Sequence, residues 1–205
     1  NNIILIFDEC TSGFRETYGG LHKKYNVNPD IAVFGKALGN GYAITSVIGR
    51  EDVMEAARST FISSTFWTER IGPVAALETL RIMKDTNSWE YVSNLGNYLK
   101  SSWSEIAKEN YLKIKFSGIS ALPGFTFESK NNLAYKTLIS QEMLKNGYLA
   151  SNICYLSTAH NKKIIDNYIE QLKNIFFLIK QCEDGRNIEE LLETSICHSN
   201  FKRLN

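Results

Sequence analysis

The chain has 205 residues, 43% of them hydrophobic and 22% charged, with 23 Lys and Arg against 22 Asp and Glu. That length holds one large domain or two small ones around a substantial core. The near-neutral charge excludes nucleic acid and an anionic membrane surface as the expected partner, and no apolar run reaches bilayer-spanning length.

Four scattered cysteines, Cys10, Cys154, Cys182 and Cys197, form no C-x-x-C pair. They read as free thiols of a reducing compartment rather than a disulfide framework or a zinc site. With no signal peptide visible, a cytoplasmic location is expected.

The first element is Ile3-Ile4-Leu5-Ile6-Phe7, apolar at every position and predicted as a strand buried on both faces of a parallel sheet. Such a strand needs neighbours on both sides, and few strands follow it, so the chain is expected to be the C-terminal part of a longer one. The strand ends in Asp8-Glu9, which places a carboxylate at the sheet edge where open α/β sheets bind ligands. Thr11-Ser12-Gly13 makes a loop, and Leu21–Tyr25 a single helical turn. Asn28-Pro29-Asp30 turns the chain into a second strand, Ile31–Phe34. A Gly-rich loop around Lys36 leads to a third strand, Ala43–Ile48, and a short helix, Glu51–Ala57. Phe61–Trp67 is aromatic and hydroxyl-rich without helical period and reads as a binding loop. Helices are predicted over Glu69–Lys84, with Pro73 in the first turn, and over Trp89–Ala107.

From Tyr111 the texture becomes β-β-α-β-α: strands at Tyr111–Phe116, Pro123–Glu128 and Tyr148–Ser157, and a helix over Ala134–Lys145. A long final helix is capped by Asn161, with Ile165, Tyr168, Ile169, Leu172, Ile175, Phe176 and Ile179 on one face. The expected division is an α/β part over residues 1–96, a small α+β domain over 97–182, and a tail of unknown role over 183–205.

Lys36 sits in Phe34-Gly35-Lys36-Ala37-Leu38-Gly39-Asn40-Gly41, just after an apolar strand. A Schiff-base lysine suits such a place: partial desolvation favours its neutral amine, and glycines admit a flat cofactor. An ordinary lysine after a strand is the alternative. Asp8 and Lys36 follow neighbouring strands and can converge on one ligand, as a pyridoxal phosphate site requires. There the lysine bonds the cofactor aldehyde, and the carboxylate keeps the pyridine nitrogen protonated.

Ile6-Phe7-Asp8-Glu9-Cys10-Thr11-Ser12-Gly13-Phe14-Arg15, followed by Pro29-Asp30-Ile31-Ala32-Val33-Phe34-Gly35-Lys36-Ala37-Leu38-Gly39-Asn40-Gly41, resembles the signature of class III pyridoxal-phosphate aminotransferases, nearest the glutamate-1-semialdehyde 2,1-aminomutases. The resemblance runs from about Ile3 to about Lys180 and includes Gln141–Tyr148 and Ser157-Thr158-Ala159-His160. It implies a fold type I architecture, here the C-terminal part of the large domain's sheet plus the small domain. It also implies pyridoxal 5'-phosphate as cofactor, an amino donor and a keto or aldehyde acceptor as substrates, and a homodimer with a shared active site. Lys36 matches the Schiff-base lysine and Asp8 the partner of the ring nitrogen. Cys10 stands where the family has a valine packed on the ring. Thr65 matches a threonine that reaches the cofactor phosphate of the other subunit. Glu9 takes a structural role, Arg15 reads as a salt-bridge former and His160 as a packed or capping histidine.

The family's phosphate loop and ring-stacking aromatic lie upstream of the aspartate, so the chain alone is expected to be inactive. The connection from Met54 to Thr65 is short where aminomutases carry a gating segment, which favours transamination over intramolecular amino transfer. Two readings from other classes stand beside this one. Asp8-Glu9 after an apolar strand also fits the magnesium-binding strand of a P-loop NTPase, although no G-x-x-x-x-G-K-[ST] occurs; and the chain could be an inactive remnant.

Overall fold

A computed structural model describes residues 3–63, 65 and 68–199. Ser64, Phe66 and Trp67, part of the predicted Phe61–Trp67 binding loop, lie outside the described residues, as do 200–205 of the tail. The chain divides between Ser93 and Asn94 into two compact units.

The first unit carries a three-stranded sheet in the order β1-β2-β3, with β1 at Ile6–Asp8, β2 at Ile31–Phe34 and β3 at Ser46–Gly49. β1 runs parallel to β2 and β3 antiparallel to it. Ala32 and Phe34 point to one face of β2, where Leu38 and Ala76 close a small core with Phe14 and Ile44. The helices are α1 (Glu51–Met54), continued as a 3-10 turn, and α2 (Ile71–Thr86). α2 stops at Asn87, whose left-handed backbone (φ 50°) is one asparagine tolerates. α3 then begins at Ser88 and extends to Glu109.

The strand predicted as buried on both faces is not. Ile3 is 76% and Ile6 57% exposed, because β1 is an edge strand that pairs with β2 alone among the described residues.

In the second unit, β4 (Ile114–Ser117) and β5 (Gly124–Phe127) form an antiparallel pair. They pack with α3, α4 (Asn132–Lys145) and α5 (Lys162–Glu183) around a buried aromatic cluster. Phe125 lies 4.8 Å from Trp103 and 5.7 Å from Phe176, ring to ring, and Phe127 touches both Phe176 and Tyr135. Each such side chain contributes about 1.5–3 kcal/mol on leaving water. α5 is placed by its pattern: Ile165, Tyr168, Ile169, Leu172, Ile175, Phe176 and Ile179 are all buried, and the Asn161 side chain accepts from the Ile164 N–H at 3.0 Å.

One expectation changes here. Tyr148–Ser157 is not a strand; it makes one isolated bridge, Gly124 to Ile153. The Asn152 side-chain amide donates to the Phe125 carbonyl at 2.7 Å, substituting for a ladder partner and breaking the regular pattern. The segment after Glu183, expected as a tail of unknown role, is tied to α4 over its described length. Gln141 of α4 donates to the Leu191 carbonyl and accepts from the Glu193 N–H, and Cys197 N–H reaches Thr137.

Candidate active site

Asp8 ends β1 and pairs in register with Val33, so β1 and β2 deliver their C-terminal ends side by side. The chain leaves β2 through Gly35 directly into Lys36, and leaves β1 through Glu9 and Cys10. Two reactive ends are therefore brought to one sheet edge by strand pairing alone.

Around Asp8 the geometry favours a charged carboxylate. Its Oδ1 accepts the Cys10 N–H at 3.1 Å. That bond, the Cys10 thiol and the Lys36 charge outweigh partial desolvation and lower its pKa. Cys10 feels the converse: burial and the neighbouring Asp8 carboxylate raise its thiol above the ordinary value.

Glu9 points the other way, into the protein, and is 3% exposed. It accepts the Leu21 N–H at 2.5 Å, the His22 N–H at 3.0 Å and the Ser12 hydroxyl at 3.1 Å, and its Oε1 lies 2.7 Å from His22 Nδ1. This anchors the loop from Glu9 to His22 at both ends. Within it, the Gly13 N–H bonds the Glu9 carbonyl at 2.8 Å. A Cβ on Gly13 would lie 2.6 Å from the Phe34 ring, so only glycine lets this loop rest on the residue that precedes the lysine turn.

Lys36 opens a 3-10 turn, Lys36–Leu38, with the Leu38 N–H on the Gly35 carbonyl at 3.0 Å. Its own φ is 44°, in the left-handed region that a long side chain seldom occupies. Such strain costs about 1–3 kcal/mol and persists only where surroundings impose it. Gly39 makes the turn possible, since a Cβ there would meet the Tyr42 carbonyl at 2.1 Å. The partial desolvation expected of Lys36 is absent: the residue is exposed. Its amine instead donates to the Thr11 hydroxyl.

The structure thus brings together Asp8, Cys10 and Lys36 of the predicted site. Thr65 is an exposed turn residue, and no hydrogen bond joins it to those three among the described residues. Two further residues shape the candidate site without a motif of their own. Thr11 holds the lysine, and a hydroxyl next to the Asp-Glu-Cys strand end was its only signal. His22 completes the Glu9 anchor, and nothing local marks a histidine that pairs thirteen residues back.

Residues 1–176 match the family described as aminotransferase class III. The chain belongs to this family. A 3-aminobutyryl-CoA aminotransferase of Cloacimonas acidaminovorans is 34% identical over 164 residues, 76% of this chain and 40% of the relative. A glutamate-1-semialdehyde 2,1-aminomutase of Methanocaldococcus jannaschii is 26% identical, covering 86% of this chain and 45% of its own length. Among solved structures, the FumI protein of Sphingopyxis sp. MTA144, in its PLP internal aldimine form, superposes with a TM-score of 0.79 at 24% identity. That match covers 91% of this chain and 46% of FumI. An omega-transaminase of Sphaerobacter thermophilus gives a TM-score of 0.76 at 21% identity, covering 87% and 45%. The fold is that of the fold type I transaminases, and the chain spans less than half the length of each of these proteins. Family membership removes the P-loop reading of Asp8-Glu9, and the geometry agrees: Glu9 is buried in hydrogen bonds and cannot polarise water.

Proposed function

We propose that this chain carries half of the active site of a transaminase that uses pyridoxal 5'-phosphate, with Lys36 as its covalent attachment point and Asp8 as the partner of the ring nitrogen. The observation that carries this reading is the delivery of Lys36 and an ionised Asp8 to one sheet edge by adjacent parallel strands. A primary amine and a carboxylate are the donor set the cofactor needs, so the residues present fit it.

When bound, the cofactor supplies an electron sink for the carbanion formed at the substrate α-carbon. Lys36 would hold the cofactor through its amine, and that amine, when free, would be the group placed to move the substrate α-proton. Asp8, held ionised, would favour a proton on the ring nitrogen of a bound cofactor. Cys10 packs beside them as a neutral thiol. Thr65 is the candidate to reach the cofactor phosphate of a second copy in a homodimer, its hydroxyl and backbone N–H being suitable anion donors.

Transamination between an amino donor and a keto or aldehyde acceptor is preferred to intramolecular amino transfer. The short Met54–Thr65 connection supports it, as does the higher identity to an aminotransferase than to the aminomutase. Free cysteines at all four positions support a cytoplasmic setting, and no described helix is long and apolar enough to cross a membrane. The test gives the complete protein one amino donor and no acceptor. Stoichiometric keto acid and aminated cofactor are expected; isomerised donor without keto acid refutes transamination.

A further inference from the structure

An ammonium and a carboxylate within reach of each other tend to pair, and each is then less available to a third molecule. Lys36 and Asp8 are close enough for the lysine charge to act on the aspartate, yet they form no ion pair within 4.0 Å among the described residues. The lysine amine is engaged elsewhere, on Thr11 Oγ1. Asp8 is engaged on the Cys10 N–H.

Thr11 is itself fixed. Its carbonyl accepts from Arg15 Nε at 2.7 Å. Its loop is held by the Gly13 N–H on the Glu9 carbonyl and by the Glu9 anchor to Leu21 and His22. A β-branched side chain adds a restricted χ1, so the hydroxyl has one main direction in which to act. A hydroxyl also accepts from an amine without neutralising it, which a carboxylate in the same place would do.

We propose that Thr11 is a positioning residue that keeps the Lys36 amine off the Asp8 carboxylate, so that the two groups reach the cofactor as separate partners. This role rests on the reading of Lys36 and Asp8 given above. It assigns a use to Arg15 as well, which secures the Thr11 backbone.

The role is read without any cofactor, on the complete polypeptide, from the rate at which trinitrobenzenesulfonate labels Lys36 at one fixed pH, followed by peptide mass spectrometry. Thr11→Val is isosteric and lacks the oxygen. It is expected to slow labelling about threefold, because the amine then pairs with Asp8 and both groups are exposed. Thr11→Ala serves as a second hydroxyl-free variant with the same expected slowing, and Thr11→Ser restores the rate. Adding Asp8→Asn to Thr11→Val also restores it, a coupling that loss of packing alone would not produce. Labelling of both hydroxyl-free variants at the wild-type rate overturns the proposal, as does slowing that persists in the double variant. Failure of the cofactor reading would show separately, as no borohydride-reducible link between pyridoxal 5'-phosphate and Lys36.

Discussion

The Glu9 carboxylate and the His22 ring meet at 2.7 Å across thirteen residues of chain, and the same carboxylate accepts two backbone N–H groups. A buried acceptor serving several donors is costly to remove, because the donors are left in the protein without water. Glu9→Ala is expected to destabilise the protein by about 3 kcal/mol, and Glu9→Gln, which keeps one oxygen, by less. Urea denaturation measures both. A Glu9→Ala midpoint equal to wild type would mean that the anchor contributes nothing.

The same residue sets an acid limit. Burial pushes the Glu9 carboxyl up, but the His22 and Leu21 N–H groups, with the His22 and Ser12 side chains, more than offset it, and the net pKa lies below 4.5. A pKa lowered in the folded state gives stability that is complete above the unfolded value and lost as pH falls through the folded one. The urea midpoint is therefore expected to begin falling near pH 4.5 and to continue falling below it. Glu9→Gln should flatten this fall, and an equally steep fall in that variant would place the titration elsewhere.

Much of this was legible from local pattern. The Asp8 strand end, the Lys36 loop, the α5 face and its Asn161 cap are each written in a few neighbouring residues, and the structure holds them where periodicity put them. What escaped depends on pairings distant in sequence. An all-apolar run such as Ile3–Phe7 looks the same whether its neighbours are present or not, so its exposure could not be read from it. The strand at Tyr148–Ser157 stops at a single bridge because the Asn152 side chain takes the Phe125 carbonyl on one side and Pro123 has no N–H to donate on the other. Thr11 and His22 act only through partners far along the chain.

Lys36 pays for its position in backbone strain. At φ 44°, alanine retains the steric penalty and glycine does not. Both substitutions remove the amine, so their comparison isolates the backbone. Lys36→Gly is expected to be more stable than Lys36→Ala by about 1 kcal/mol in urea. Equal stability would show that the left-handed conformation is not maintained once the amine is gone.

Gln141 bridges α4 to the segment that follows α5, through the Leu191 carbonyl at 2.8 Å and the Glu193 N–H at 2.7 Å. Gln141→Ala removes both bonds at a cost of about 1 kcal/mol. The effect should be local, so amide hydrogen exchange is the sensitive measurement. Exchange at Glu193 is expected to accelerate roughly fivefold while the buried α5 amides remain unchanged. Uniform acceleration would instead mean that the contact supports the whole unit.

Asp8 and Cys10 are joined through the Cys10 N–H and the Cys10 thiol but are expected to respond very differently to substitution. The Cys10 N–H that supports Asp8 belongs to the backbone and survives Cys10→Val. The thiol, its pKa raised by burial and by Asp8, is neutral near pH 7 and can be replaced by a group of similar bulk. Asp8→Asn keeps the shape and loses the charge proposed to favour a proton on the ring nitrogen. In the complete protein, Asp8→Asn is expected to release cofactor on dialysis and to lower turnover by about 100-fold or more. Cys10→Val should stay within about threefold of wild type, a change below 1 kcal/mol. Wild-type turnover in Asp8→Asn would remove Asp8 from the site, whereas a collapse in Cys10→Val would show that the thiol does more than pack.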